Sequence, residues 1–270
     1  MSNRTAPRTI GVARLLAAAA LIASVLVWAT GCMHHRDDQM AAPWRDARQL
    51  VLVTTPGWDA DGGTLRRFER RQGGWHEVSA ARPVTIGRAG AAWGLGLHPP
   101  VQQPPLKREG DGRSPAGVFA IGRAFGYGAS ATTALPYDAM QPSHYCVDVN
   151  ESPLYNQIVD ARVVGTPAVA GSTEPMRRDL HADGDQRYRL GFVIQHNTAA
   201  QTMGGSCIFA HLWKSPRDAT SGCTAMDEST MVDLLAWLQP DLQPIFVLLP
   251  AQEYARLQAQ WQLPALGSVP

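Results

Sequence analysis

Two side chains between Ile208 and Met226 have the types and spacing to do chemistry together: His211, which closes an apolar run, and Cys223, which follows the small-residue turn Thr220-Ser221-Gly222. A thiol is a strong nucleophile only as its thiolate, so a cysteine that works near neutral pH needs an imidazole to take its proton. Gly222 lets the backbone turn sharply enough to aim amide N–H groups at a developing oxyanion. The pattern predicts Cys223 as a thiolate nucleophile with His211 as its base. Each residue alone has a plainer role, as an inert buried thiol or a packed imidazole.

The elements that must hold this pair read as short strands separated by Gly/Pro-rich turns. Strands are expected at Gln49–Thr55, Leu65–Arg71, Pro83–Arg88, Gly117–Arg123, Tyr145–Val149, Arg189–His196, Cys207–Trp213 and Pro244–Leu249, rich in Val, Ile, Phe and Thr. One helix starts at Glu228 with Asp227 as N-cap; Met231, Leu234, Leu235 and Leu238 share a face and Pro240 ends the run. A second runs from Gln252 to Trp261. The expected class is mainly β, two packed layers in a sandwich-like arrangement with a few peripheral helices, the Cys223 turn feeding the first helix. The Gly-, Pro-, Asp- and Arg-rich segment Ala161–Gln186 reads equally as a flap or as disorder.

The leader gives an address. Arg4, Arg8 and Arg14 precede an apolar stretch from Leu15 to Val27, and Ala29-Thr30-Gly31-Cys32 offers small residues at a processing site. This resembles a bacterial lipoprotein signal, which implies cleavage after residue 31, lipidation of Cys32 and a protein held on a membrane facing the periplasm. Met33 after the lipidated Cys favours the outer membrane. The apolar stretch is shorter than the roughly 20 residues of a spanning helix. The expected organisation is 1–31 signal peptide, 32–45 polar tether and 46–270 catalytic domain. The leader holds three of the 24 Lys+Arg and none of the 23 Asp+Glu, so the remainder is nearly neutral; without a basic run, no nucleic-acid partner is expected.

Cysteine use fits an oxidising compartment. With Cys32 lipidated, Cys146, Cys207 and Cys223 allow three pairings. Cys146–Cys207 is favoured because Cys207 opens the strand whose far end carries His211, so a crosslink there braces the base and leaves Cys223 free. Closing a loop of about sixty residues is worth roughly 4 kcal/mol in the chain-entropy account.

With these residues in hand, the chain resembles the L,D-transpeptidase catalytic-domain family over most of its mature length. That family carries a strand ending in His, then Ser/Thr-His-Gly-Cys; His211, Thr220, Gly222 and Cys223 fall on those positions. The run from Lys107 to Phe119, with Pro115-Ala-Gly117-Val-Phe119, is similar to its Thr-Pro-x-Gly-x-Phe element. Ser221 stands where the second His is usual, Ala225 where Arg or Asn is usual, and the loop from His211 to Cys223 is short. A variant branch has Thr-Ala-Gly-Cys here and His-Asn in the preceding strand, which implies that His196 and Asn197 line the site. The resemblance implies a Cys223 thioester formed at the meso-diaminopimelate carbonyl of a peptidoglycan stem peptide, with the amides of Ser221, Gly222 and Cys223 holding the oxyanion, and resolved by an amine, by water or by a lipoprotein. Trp213, Thr220 and Lys214 are expected to contact substrate, with Arg217 and Lys107 as further exposed cations. No cofactor or metal is implied.

Other classes compete. A carboxypeptidase or hydrolase shares the same acyl-enzyme. A non-catalytic peptidoglycan-binding lipoprotein predicts a buried or oxidised Cys223. A papain-like protease places its Cys before its His in the chain, the reverse of this order. A zinc site from His196, His211 and Cys223 lacks paired ligand spacing.

Overall fold

The structure, a computed structural model, describes residues 1–2 and 42–266. The expected signal peptide from residue 3 onward and the expected lipidation site Cys32 lie outside the described residues.

In chain order the strands are β1 (Gln49–Thr55), β2 (Gly62–Arg71), β3 (Gly74–Glu77), β4 (Arg82–Thr85), β5 (Ala91–Trp93), β6 (Ser114–Gly126), β7 (Tyr137–Ala139), β8 (His144–Cys146), β9 (Ile158–Asp160), β10 (Glu174–Pro175), β11 (Leu190–Ile194), β12 (Phe209–Leu212), β13 (Thr224–Met226) and β14 (Ile245–Pro250). The helices are α1 (Ala161–Val164), α2 (Arg178–His181), α3 (Glu228–Trp237) and α4 (Ala251–Leu257). The fold is mainly β with a few helices. Every expected strand overlaps an observed one. The strands missed in the sequence, β3, β5, β7, β9, β10 and β13, have four residues or fewer, too few to show an alternation.

The main sheet runs β1-β14-β6-β11-β12-β13-β4-β2, and β2 pairs back onto β1, so eight strands close into a barrel. This replaces the expected sandwich-like arrangement of two packed layers. Closure follows from β1, which is parallel to β14 on one side and antiparallel to β2 on the other, leaving no edge at that point. Residues Leu50–Val53 and all of β14 are buried. Both faces of these strands are covered, which is why they read as continuous apolar runs rather than alternating ones.

A smaller sheet, β10-β8-β9, stands beside the barrel. Its strand β10 comes from Ala161–Gln186, where α1, α2 and β10 make this segment ordered structure and correct the disorder alternative. Cys146 at the end of β8 is disulfide-bonded to Cys207 just before β12, so the small sheet is crosslinked to the barrel wall; the sequence separation is 61. Cys223 is the free cysteine among the described residues.

Helix α3 is capped as expected, the Asp227 side chain accepting from the Thr230 amide at 2.9 Å. The Cys223 turn, however, first enters β13, and α3 follows. Packed structure is already present before the expected boundary at residue 46. Trp44 is buried, donates from Nε1 to the Trp261 carbonyl at 3.1 Å and packs edge-on against that ring at 5.5 Å, so the packed domain begins at Ala42. Among the described residues no helix is long and apolar enough to cross a membrane.

Candidate active site

Parallel pairing of β12 with β13 sets His211 opposite Ala225, two residues beyond Cys223. Cys223 immediately precedes β13, so the parallel pairing brings it to the strand that carries His211, and its Sγ meets the Phe209 amide on that strand. Both line a cleft of about 390 Å³, together with Thr220, Ser221 and Gly222. The far walls come from Lys107 and Glu109, from Glu174 on β10, and from Arg178 and Tyr188. The pair brought together by the sequence argument is together in space. No hydrogen bond joins them directly.

The turn before Cys223 is held by its own side chains. Thr220 Oγ1 donates to the Cys223 carbonyl at 2.6 Å and accepts from the Gly222 amide at 3.1 Å, while Ser114 Oγ donates to the same carbonyl at 3.0 Å. Gly222 has φ +155°, which strains any L side chain, and a Cβ there would lie in a tight 3.1 Å contact with the Arg113 carbonyl oxygen, so the turn favours glycine. With its amide given to Thr220, Gly222 is not an oxyanion donor as expected. The amides of Ser221 and Cys223 have no partner among the described residues.

Cys223 is 7% exposed. Its Sγ accepts from the Phe209 amide at 3.4 Å and faces the Cys207 carbonyl at 3.5 Å. Burial, reinforced by the charge of Glu174, pushes the thiol up to about 12, although the Phe209 amide and the Tyr188 hydroxyl act the other way. Burial likewise lowers His211 to about 4, the Leu212 carbonyl opposing it. The resting pair is therefore neutral thiol and neutral imidazole, not the thiolate held by a nearby imidazole that the sequence predicts: desolvation outweighs the hydrogen bonds. His211 Nδ1 lies 2.8 Å from the Leu212 carbonyl. In neutral imidazole that contact places the proton on Nδ1 and leaves Nε2 able to accept one.

Tyr188, which sequence reasoning missed, touches both His211 and the Cys223 thiol. Its ring stands edge-on to His211 at 5.2 Å, its hydroxyl donates to Glu174, and the same hydroxyl is within reach of the Cys223 thiol. Arg178 spans Glu174 at 3.0 Å and Asp185 at 2.9 Å, and Arg187 also pairs with Asp185. Burial works to raise Asp185, but hydrogen bonds from Arg187 and Arg178 hold it well below the usual carboxylate range. These residues come from Ala161–Gln186 and the turn after it, where irregular spacing gives no periodic signal.

Other expected contacts fall elsewhere. His196 accepts from the Leu95 amide at 3.2 Å through Nδ1, and its Nε2 lies 2.9 Å from the Gly204 carbonyl. Asn197 is bonded to Gln201 and Gly205. Both are buried outside the cleft and organise the 197–205 loop, because β11 ends at Ile194 and the chain has already turned. His196 therefore cannot join His211 and Cys223 around one ion, and among the described residues no group of three or more His, Cys, Asp or Glu is placed to hold a metal. Trp213 and Lys214 lie past the cleft, at roughly 3.3 Å per residue beyond His211; Arg217 does not line it either. Lys107 does line it but is buried, with Nζ on Asp111 at 2.6 Å.

Compared with protein families, with curated proteins and with solved structures, the chain matches none of them.

Proposed function

We propose that this chain is a cysteine acyltransferase of the L,D-transpeptidase type, acting on peptidoglycan stem peptides at meso-diaminopimelate from a lipid anchor at Cys32. One observation carries the reading: Cys223 and His211 line one cleft, with Nδ1 of His211 committed to a backbone carbonyl so that Nε2 is free to accept. The charges of the cleft support it. Glu109 and Asp148 accept from neutral donors and face no cation within ion-pair distance among the described residues, while arginines line the same space, as suits a substrate with both ammonium and carboxylate groups.

In this reading Nε2 of His211 takes the thiol proton as Cys223 Sγ bonds to the diaminopimelate carbonyl carbon. The carbonyl electrons move onto oxygen, which the amides of Ser221 and Cys223 are placed to receive; one such donor is worth about 3 kcal/mol in acyl transfer. As the C–N bond breaks, Nε2 returns its proton to the departing D-alanine amine. The thioester is then attacked by an acceptor amine, whose proton passes to His211, and the sulfur leaves and is reprotonated. Because the thiol is neutral at rest, proton transfer and attack are coupled.

The domain from Ala42 onward, incubated with tetrapeptide muropeptides, is expected to yield Cys223-dependent dimers by mass spectrometry; tripeptide plus free D-alanine instead makes it a carboxypeptidase. A non-catalytic peptidoglycan-binding lipoprotein is the second reading, and the burial of Cys223 favours it. It predicts binding to the sacculus with no thioester and no difference between the native protein and Cys223→Ala.

A further inference from the structure

Four cations line the cleft: Arg88, Lys107, Arg178 and Arg187. Three are already neutralised, Lys107 by Asp111, Arg178 by Glu174 and Asp185, and Arg187 by Asp185. Arg88 is exposed and faces no carboxylate within ion-pair distance among the described residues. It is nonetheless fixed in place. Its amide donates to the Thr220 carbonyl at 2.8 Å, Gly87 beside it bridges to Thr220, and its Nη1 donates to Ser221 Oγ at 3.0 Å. The guanidinium lies over Gly112, where a Cβ would stand 3.1 Å from its Cζ. Main chain and side chain together tie this cation to the nucleophile turn, with most of its five N–H donors unused.

We propose that Arg88 is the receptor for a free carboxylate on the leaving residue of the acyl donor, so that the scissile bond must be the last peptide bond of the stem. This rests on the reading of Cys223 as the nucleophile. In a terminal amino acid the carboxylate is two bonds from the scissile nitrogen, so its receptor must stand beside the nucleophile turn. Arg88, held on Ser221, does. A guanidinium fork grips a carboxylate in two parallel hydrogen bonds, which gives orientation as well as charge. Ala225 supplies no charge: it is buried in the barrel wall between His211 and Thr85.

The test compares iodoacetate, which carries a carboxylate, with iodoacetamide, which does not, as alkylators of Cys223 in the Ala42 domain with its disulfide intact. Arg88→Gln is expected to lower the iodoacetate:iodoacetamide rate ratio about tenfold, as for a charge-assisted hydrogen bond, while the iodoacetamide rate stays within about twofold. Arg217→Gln, outside the cleft, leaves the ratio unchanged. With stem tetrapeptides ending in D-alanine or D-alaninamide, the native domain is expected to prefer the free acid about tenfold in kcat/KM, and Arg88→Gln to lose the preference. An unchanged reagent ratio in Arg88→Gln, or equal use of acid and amide by the native domain, overturns the proposal. A ratio that falls while neither peptide is consumed keeps the carboxylate receptor and sinks the stem-peptide reading.

Discussion

The pH dependence of Cys223 alkylation tests whether burial or the neighbouring hydrogen bonds govern the thiol. Burial and Glu174 push it to about 12, against about 8.5 for a free cysteine. At pH 7 that difference leaves roughly three thousandfold less thiolate than an ordinary thiol has. A more basic thiolate is intrinsically more nucleophilic, with a Brønsted coefficient of about 0.4–0.5, which returns roughly a factor of 30 to 50. The net expectation is alkylation by iodoacetamide roughly a hundredfold slower than for a free cysteine peptide at pH 7, rising about tenfold per pH unit up to pH 10 without a plateau. The assay is peptide mapping by mass spectrometry after timed exposure in reductant-free buffer, which preserves Cys146–Cys207. A plateau below pH 8, or a rate equal to that of the free peptide, would refute the reasoning: it would mean a thiolate–imidazolium pair formed at rest and hydrogen bonds that outweigh desolvation. A slow resting thiol with fast acylation by a true donor is the expected signature of coupled proton transfer.

Three further outcomes follow from the packing. His196 and His211 are both held at about 4 by burial, below about 6.5 in the unfolded chain, so the unfolded state takes up protons first; thermal denaturation should show stability complete above pH 6.5 and lost between pH 6.5 and 4, by about 3 kcal/mol per histidine, and a transition temperature flat across that window would contradict neutral burial. Replacing both Cys146 and Cys207 by Ser should cost about 2–5 kcal/mol in denaturant unfolding and speed Cys223 alkylation, because Cys207 and Phe209 supply the backbone groups around its sulfur; unchanged alkylation would mean the crosslink does not shape the site. A domain beginning at Asp46 loses Trp44 from its pocket beside Trp261, and should be about 3–5 kcal/mol less stable than one beginning at Ala42; equal melting temperatures would place the boundary where the sequence alone does.

Local chemistry made part of this protein legible without a structure. Cys223 behind Gly222, His211 closing an apolar run, Asp227 capping a helix and the uninterrupted apolar residues of β1 and β14 are set by the chain's immediate neighbours, because turn sterics, capping and strand burial act over a few residues. The pairing of Cys146 with Cys207 was reached by asking which thiol had to stay free. Closure of the barrel was not legible, since it depends on which strand β1 meets on its second side, and register between distant strands leaves no local mark. Nor was the second wall of the cleft. Tyr188, Glu174 and Arg88 line the Cys223 cleft from three separate segments, and their spacing in the chain carries no period. His196-Asn197 misled for the converse reason: residue types suited to a site were spent on satisfying the backbone of a buried loop. The state of the thiol was likewise decided in three dimensions, because the desolvation that keeps Cys223 and His211 neutral is a property of everything packed around them.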